Sequence, residues 1–158
     1  MINNYDNLNK SITEACGNKN RILQSYEIFI DNFNKLNDKY KFSVSFSSDY
    51  IFKQLEEIVN SKPRTLNYIP FGIKDIFNTE VLPTEMGSEI WKGFKAGNNA
   101  RIVDEIIFRG GLSFCKTSTA EFAVDYIEEG HTLNPHNVEH ITGTSSAGSA
   151  VAVACGAL

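Results

Sequence analysis

With 158 residues the chain is long enough for one domain with a substantial core, and 42% hydrophobic against 22% charged residues excludes wholesale disorder. A net charge of −4 gives no electrostatic reason to expect nucleic acid or an anionic membrane as the main partner. A small neutral substrate stays open.

The opening MINNYDNLNK lacks the basic-then-apolar pattern of a secretory signal, and the apolar run Ala150 to Leu158 is far too short to span a bilayer. Cys16, Cys115 and Cys155 have no metal-ligand spacing, so the expectation is reduced thiols in a cytoplasmic protein.

In chain order, RILQSYEIFIDNFNKLN (21–37) places Ile22, Tyr26, Phe29, Phe33 and Leu36 on one stripe of a helix. KYKFSVSF (39–46) alternates, with Tyr40, Phe42, Val44 and Phe46 on one side, and predicts a short strand or extended arm. After the start signal Ser47-Ser48-Asp49, the residues Ile51, Phe52, Leu55, Ile58 and Val59 make a second amphipathic helix, which NSKPRT ends. From Pro63 short strand-like runs replace this texture. IPFGIKDIF (69–77) is apolar except for Lys74 and Asp75. NNARIVDEIIFRGG predicts a helix with Ile102, Val103, Ile106 and Ile107 inward and Gly110-Gly111 at its end, and LSFCK (112–116) a buried strand. Ser118 and Glu121 have capping-box spacing, which predicts a helix through STAEFAVDY. Strands alternating with helices imply an α/β layer.

The loop GTSSAGS (143–149) runs straight into the small-residue helix AVAVACGAL. It nearly fits the phosphate-binding pattern G-x-x-x-x-G-K-[ST], but Ser149 stands where lysine is required. A linker is the bland alternative. Serine chemistry is the third, because hydroxyls at a helix N-terminus lie beside unsatisfied N–H groups. Serine needs a base. HNVEH (136–140) offers His136, Glu139 and His140 in the H-x-x-E-H pattern of zinc peptidases, but Pro135 before it and Gly143 after it leave no room for the required helix. Surface histidines are the plainer reading. Lys74 is the other base. It could be an edge residue snorkelling to solvent, but burial would favour its neutral form, and serine with lysine is a workable activation pair.

Four segments together resemble the amidase signature family: PFGIKDIFNTEVLPTEMGS, CKTSTAEFA, TLNPHN and GTSSAGSAVAVACG, in family order from about Leu66 to Leu158. The resemblance implies a mixed sheet flanked by helices, with 1–62 as a helical N-terminal segment and 63–158 as the first part of the α/β core. It implies a Ser–Ser–Lys triad in which Lys74 is the ultimate base and Ser145 the bridging serine, in a cis peptide. Ser146 supports the loop, with Thr144 and Gly143 beside it at the substrate. The nucleophilic serine is expected in a later motif past Leu158, so the chain is expected to be an N-terminal fragment, inactive alone. The departures from the family are Thr144 and Ala147, each for a glycine of the loop, and Cys115 for the glycine before Lys116.

The implied reaction of a complete protein is hydrolysis of a small-molecule amide through an acyl-serine, with no metal or organic cofactor. Two alternatives are the A-type component of a glutamine-dependent aminoacyl-tRNA amidotransferase, which needs partner subunits, and a non-catalytic remnant serving as a binding or scaffold fragment.

Overall fold

Two helices open the molecule, which is seen here in a computed structural model that describes residues 4–15, 17–124 and 132–158. Helix α1 spans Asn4–Ala15 and α2 spans Lys19–Tyr40. The Asn18 side chain caps α2 by accepting from the Arg21 N–H, and Lys41 ends it in the left-handed region at φ 56°. The predicted stripe is buried along α2 at Ile22, Tyr26, Phe29 and Phe33. The alternating segment behaves differently from its pattern. Tyr40 belongs to the helix, and strand β1 covers only Ser43–Phe46, with Val44 exposed and a bulge between Ser43 and Ser45. Helix continuation and the bulge override the two-residue period. Helix α3, Ser48–Val59, starts where expected, with Ser47 Oγ accepting from the Tyr50 N–H.

Strand β2 is Pro70–Lys74, helix α4 is Arg101–Phe108 and strand β3 is Leu112–Thr117. The three strands form one mixed sheet in the order β1-β3-β2, antiparallel between β1 and β3 and parallel between β2 and β3. Every residue of β3 is buried, as a central strand requires. Helix α4 is less buried than expected for the four apolar residues read as facing inward. Only Val103 is fully covered and Ile102 is exposed, because one eight-residue helix turns a single narrow stripe inward.

Phe114 on β3 packs edge-on against Phe29 and Phe33 of α2, and stacks with Phe46 of β1. Leu55 of α3 and Val151 of the last helix, α5 (Ala147–Ala154), join the same core. The core therefore crosses the expected division at 62–63. Truncating Phe114 to alanine would cost about 3–5 kcal/mol. At the chain's other end, the Asn4 N–H donates to Gly156 O, which ties α1 to the turn after α5. Helix α1 lacks a strong apolar stripe in the sequence, with Leu8 as its one large buried apolar residue.

The helix expected from Ser118 is absent from its described part. Residues Glu121–Ala123 form one 3-10 turn, with Phe122 and Ala123 both at positive φ, while Asp125 and Tyr126 lie outside the described residues. Both capping-box groups have other partners. The Glu121 carboxylate accepts from the Ser88 hydroxyl, and Ser118 Oγ pairs with the Thr132 hydroxyl. Among the described residues no helix is long and apolar enough to cross a membrane.

Candidate active site

Parallel pairing sets Lys74, the last residue of β2, opposite Thr117, the last residue of β3. Just past these strand ends lies the loop that feeds α5. Its approach depends on glycine. A Cβ on Gly148 would sit 2.5 Å from Phe42 O and would strike the backbone of Ser118, so only a bare Cα fits there. The Gly148 N–H donates to Ser118 O at 3.2 Å, docking the first turn of α5 on the end of β3. On the neighbouring strand, a Cβ on Gly72 would lie 2.8 Å from both Thr117 and Leu158. Both contacts hold α5 and the residues after it close to the Lys74 strand.

Seated in this way, the loop presents two hydroxyls to one amine. Lys74 Nζ donates to Ser145 Oγ at 2.9 Å and to Ser146 Oγ at 2.9 Å. Ser145 is partly buried and held at φ 43°, while the Ser146 N–H reaches back to Thr144 O at 2.7 Å. Ser146 itself is exposed at the start of α5. The described residues contain no cis peptide bond, so the loop turns here through the positive φ of Ser145 with the trans linkage that non-proline residues ordinarily keep. Thr144 and Gly143 are exposed, Gly143 at φ 81°.

Desolvation by burial pushes the Lys74 ammonium below its ordinary lysine value. The neutral amine is a base, and the adjacent hydroxyls are proton donors to it. The geometry thus suits proton transfer between a serine hydroxyl and an amine.

The sequence reading missed the cation next door. Lys116 is completely buried, 3.0 Å from the Asp75 carboxylate, which is itself 2% exposed. Its ammonium also donates to Phe77 O at 2.9 Å, Pro83 O at 3.2 Å and Thr84 Oγ1 at 2.7 Å. Burial pushes Asp75 up and Lys116 down, and their mutual attraction opposes both shifts. Lysine in the middle of LSFCKT was the available signal, since a charged residue in a fully buried strand demands a partner.

The zinc-like segment lies apart from this arrangement. His136, Glu139 and His140 are exposed in turns, with the Glu139 N–H donating to the Asn137 side chain. Among the described residues no group of three His, Cys, Asp or Glu could hold a metal ion.

Residues 24–158 match the Amidase family, a span that starts well before the four motifs. The A chain of the glutamyl-tRNA(Gln) amidotransferase from Coxiella burnetii is 29% identical over 147 residues, which cover 86% of this chain and 30% of the relative. Its counterpart from Pseudomonas fluorescens is 34% identical over 119 residues, covering 70% of this chain and 25% of its own. The chain therefore spans about a third of the length of these curated relatives, or less. The crystal structure of the native peptide amidase from Stenotrophomonas maltophilia superposes on 92% of the chain with a TM-score of 0.75 at 23% identity, using 33% of that enzyme. At this identity the likeness establishes the fold, and the family match over 24–158 settles the affiliation: the chain belongs to the Amidase family.

Proposed function

We propose that this chain supplies the proton-relay half of a serine amidase acting on a small carboxylic amide. The observation that carries the reading is the pair of 2.9 Å contacts from Lys74 Nζ to the hydroxyls of Ser145 and Ser146, made by an amine whose charge burial disfavours. In this scheme neutral Lys74 takes the Ser145 proton as Ser145 takes one from a nucleophilic serine, which attacks the amide carbon. That serine is contributed from chain outside the residues described. Collapse of the tetrahedral adduct breaks the C–N bond, and the proton held on Lys74 returns through Ser145 to the leaving amine. Water then repeats the sequence to release the acid. Backbone N–H groups next to the nucleophile would hold the oxyanion.

The test is hydrolysis of a panel of simple carboxamides by the chain joined to the C-terminal region that its relatives carry. Lys74→Ala lowers kcat/KM by about 10²–10⁴-fold, the range of a lost general base. Lys74→Arg fails as well, since guanidinium does not release its proton near neutral pH. Retention of activity by Lys74→Arg removes the general-base role.

A second reading follows from the names of the curated relatives, both of which are components of a glutamyl-tRNA(Gln) amidotransferase. Under it the amide is glutamine, ammonia is passed on, and the protein works with other subunits and a tRNA. Under this reading the net charge of −4 favours an RNA contact made by a partner or by chain outside these residues. Ammonia release from glutamine that rises when the partner subunits and charged tRNA are added selects this reading. Turnover of simple amides without them selects the first.

A further inference from the structure

Residues 75–88, which run from the end of β2 to the 3-10 turn at Glu89–Trp91, contain no helix or strand. Such a segment has no ladder to take up its backbone carbonyls, so each buried one needs another partner. The segment is nevertheless folded inward. Asp75, Thr79, Leu82 and Thr84 are all buried, and Leu82 is the one large apolar side chain among those four. Apolar burial alone therefore does not account for its shape. What its oxygens share is one ammonium. Lys116 Nζ, on a side chain with no exposed surface, lies 3.0 Å from Asp75 Oδ1, 2.9 Å from Phe77 O, 3.2 Å from Pro83 O and 2.7 Å from Thr84 Oγ1.

This is closer to coordination of a cation than to a two-body ion pair. An ammonium has three N–H donors, yet four oxygens surround it, and only that of Asp75 carries charge. The Thr84 hydroxyl donates its own proton to Phe77 O at 3.3 Å, which leaves its lone pairs for the ammonium. Asp75 and Phe77 come from one end of the turn and Pro83 and Thr84 from the other, so the charge closes the turn on itself. The Met86 N–H then donates to Asp75 O at 3.0 Å, and Met86 O accepts from the Phe122 N–H at 2.8 Å, which joins this turn to the loop after β3.

We propose that the turn after β2 is a site for an organic ammonium, that its resident ligand is the side chain of Lys116, and that a free primary alkylammonium takes its place when that side chain is cut away. The charge, more than the aliphatic stem, orders residues 75–88. Without it a carboxylate and three further oxygens face one another in a buried space, an arrangement left strongly uncompensated. The inference stands apart from the functional reading of Lys74. Lys74 is set opposite Thr117 and Lys116 opposite Ile73, so the two amines leave opposite faces of the sheet.

Lys116→Ala removes three methylenes and the ammonium, and the test restores them as propylammonium. The 158-residue variant is refolded from urea in propylammonium chloride, in sodium chloride at equal ionic strength, and in 1-propanol, a neutral molecule of nearly the same size. Propylammonium is expected to raise Tm saturably above both controls, and to slow amide exchange at Glu85 and Met86 by about tenfold or more. The parent, its site already filled, is expected to show no saturable shift. Propylammonium that does no more than 1-propanol or sodium chloride overturns the proposal, and so does a variant that stays unfolded in all three. Lys116→Met is the second variant, since it fills most of the stem's space without the charge. Fast exchange at Glu85 and Met86 with the β3 amides still protected supports the proposal. Exchange at those two amides as slow as in the parent overturns it.

Discussion

The hydroxyls of Thr117 and Ser149 lie 2.7 Å apart, one at the end of β3 and the other in the first turn of α5. Thr117 stands opposite Lys74 in the sheet, and Ser149 lies four residues past Ser145. A single hydrogen bond thus ties the strand pair that carries the amine to the loop that carries the hydroxyls. Thr117→Val keeps the shape and removes the bond. Its expected cost is about 0.5–1.5 kcal/mol of stability, read by urea unfolding. Amide hydrolysis falls through kcat, because the loop is no longer held in register with Lys74. Wild-type kcat in this variant would show that the tie has no bearing on the site.

Gly148→Ala is the sharper perturbation of the same joint. The new methyl meets Phe42 O at 2.5 Å and the Ser118 backbone, neither of which can rotate away. Overpacking of this kind costs about 1–3 kcal/mol, and the loop must lift off β3 to relieve it. A lower melting temperature and lost turnover are expected together. A variant that is destabilised but turns over normally would mean that α5 can shift without moving the hydroxyls.

Ser145 and Ser146 are equally near Lys74, so distance does not separate their roles. Their exposure does: Ser145 is partly buried and Ser146 is open to solvent. Ser145→Ala is expected to remove most of the activity, as loss of a relay group should. Ser146→Ala keeps at least about a tenth of it, the loss of one neutral hydrogen bond being worth about 0.5–1.5 kcal/mol. A reversal of this order in kcat would exchange the two assignments.

The pH dependence has a defined sign. Burial pushes Lys74 below its ordinary value, and the neutral amine is the acceptor, so kcat/KM rises as pH rises through that lowered pKa. Stability follows the same direction. Between the lowered native pKa and the ordinary unfolded one, the unfolded chain binds the proton and the native chain does not, so stability increases with pH across that window. Lys74→Met removes this contribution to the slope. The checks are a pH–rate profile and urea unfolding at several pH values. Titration of Lys74 at its ordinary lysine value would refute both expectations.

Much of this architecture is legible in the sequence, for identifiable reasons. Helix α2 declares itself because Ile22, Tyr26, Phe29 and Phe33 follow one helical period and are buried, and strand β3 because a short, mostly apolar run is buried at every position. Lys74 and the Ser-Ser loop stand out because polar residues interrupt apolar or small-residue runs. What the sequence conceals is decided by long-range partners. Glu121 is spaced as a capping residue for Ser118 but accepts from Ser88, 33 positions earlier. Lys116 looks like the continuation of a strand until Asp75, just past the end of β2, is found 3.0 Å away. Val44 keeps the alternation of its neighbours but lies at the edge strand beside a bulge, where the period no longer dictates burial.

The central position of β3 has a kinetic consequence. Its partners come from residues 43–46 and 70–74, and the amine meets hydroxyls 71 and 72 positions away. Contacts this distant in sequence close large loops before they contribute anything, so they form late and slowly. The helical hairpin of α1 and α2 can assemble from local contacts long before β3 inserts between its two neighbours. Base and hydroxyls meet only after that insertion, and a nascent or partly unfolded chain therefore has the residues of the relay without the relay itself.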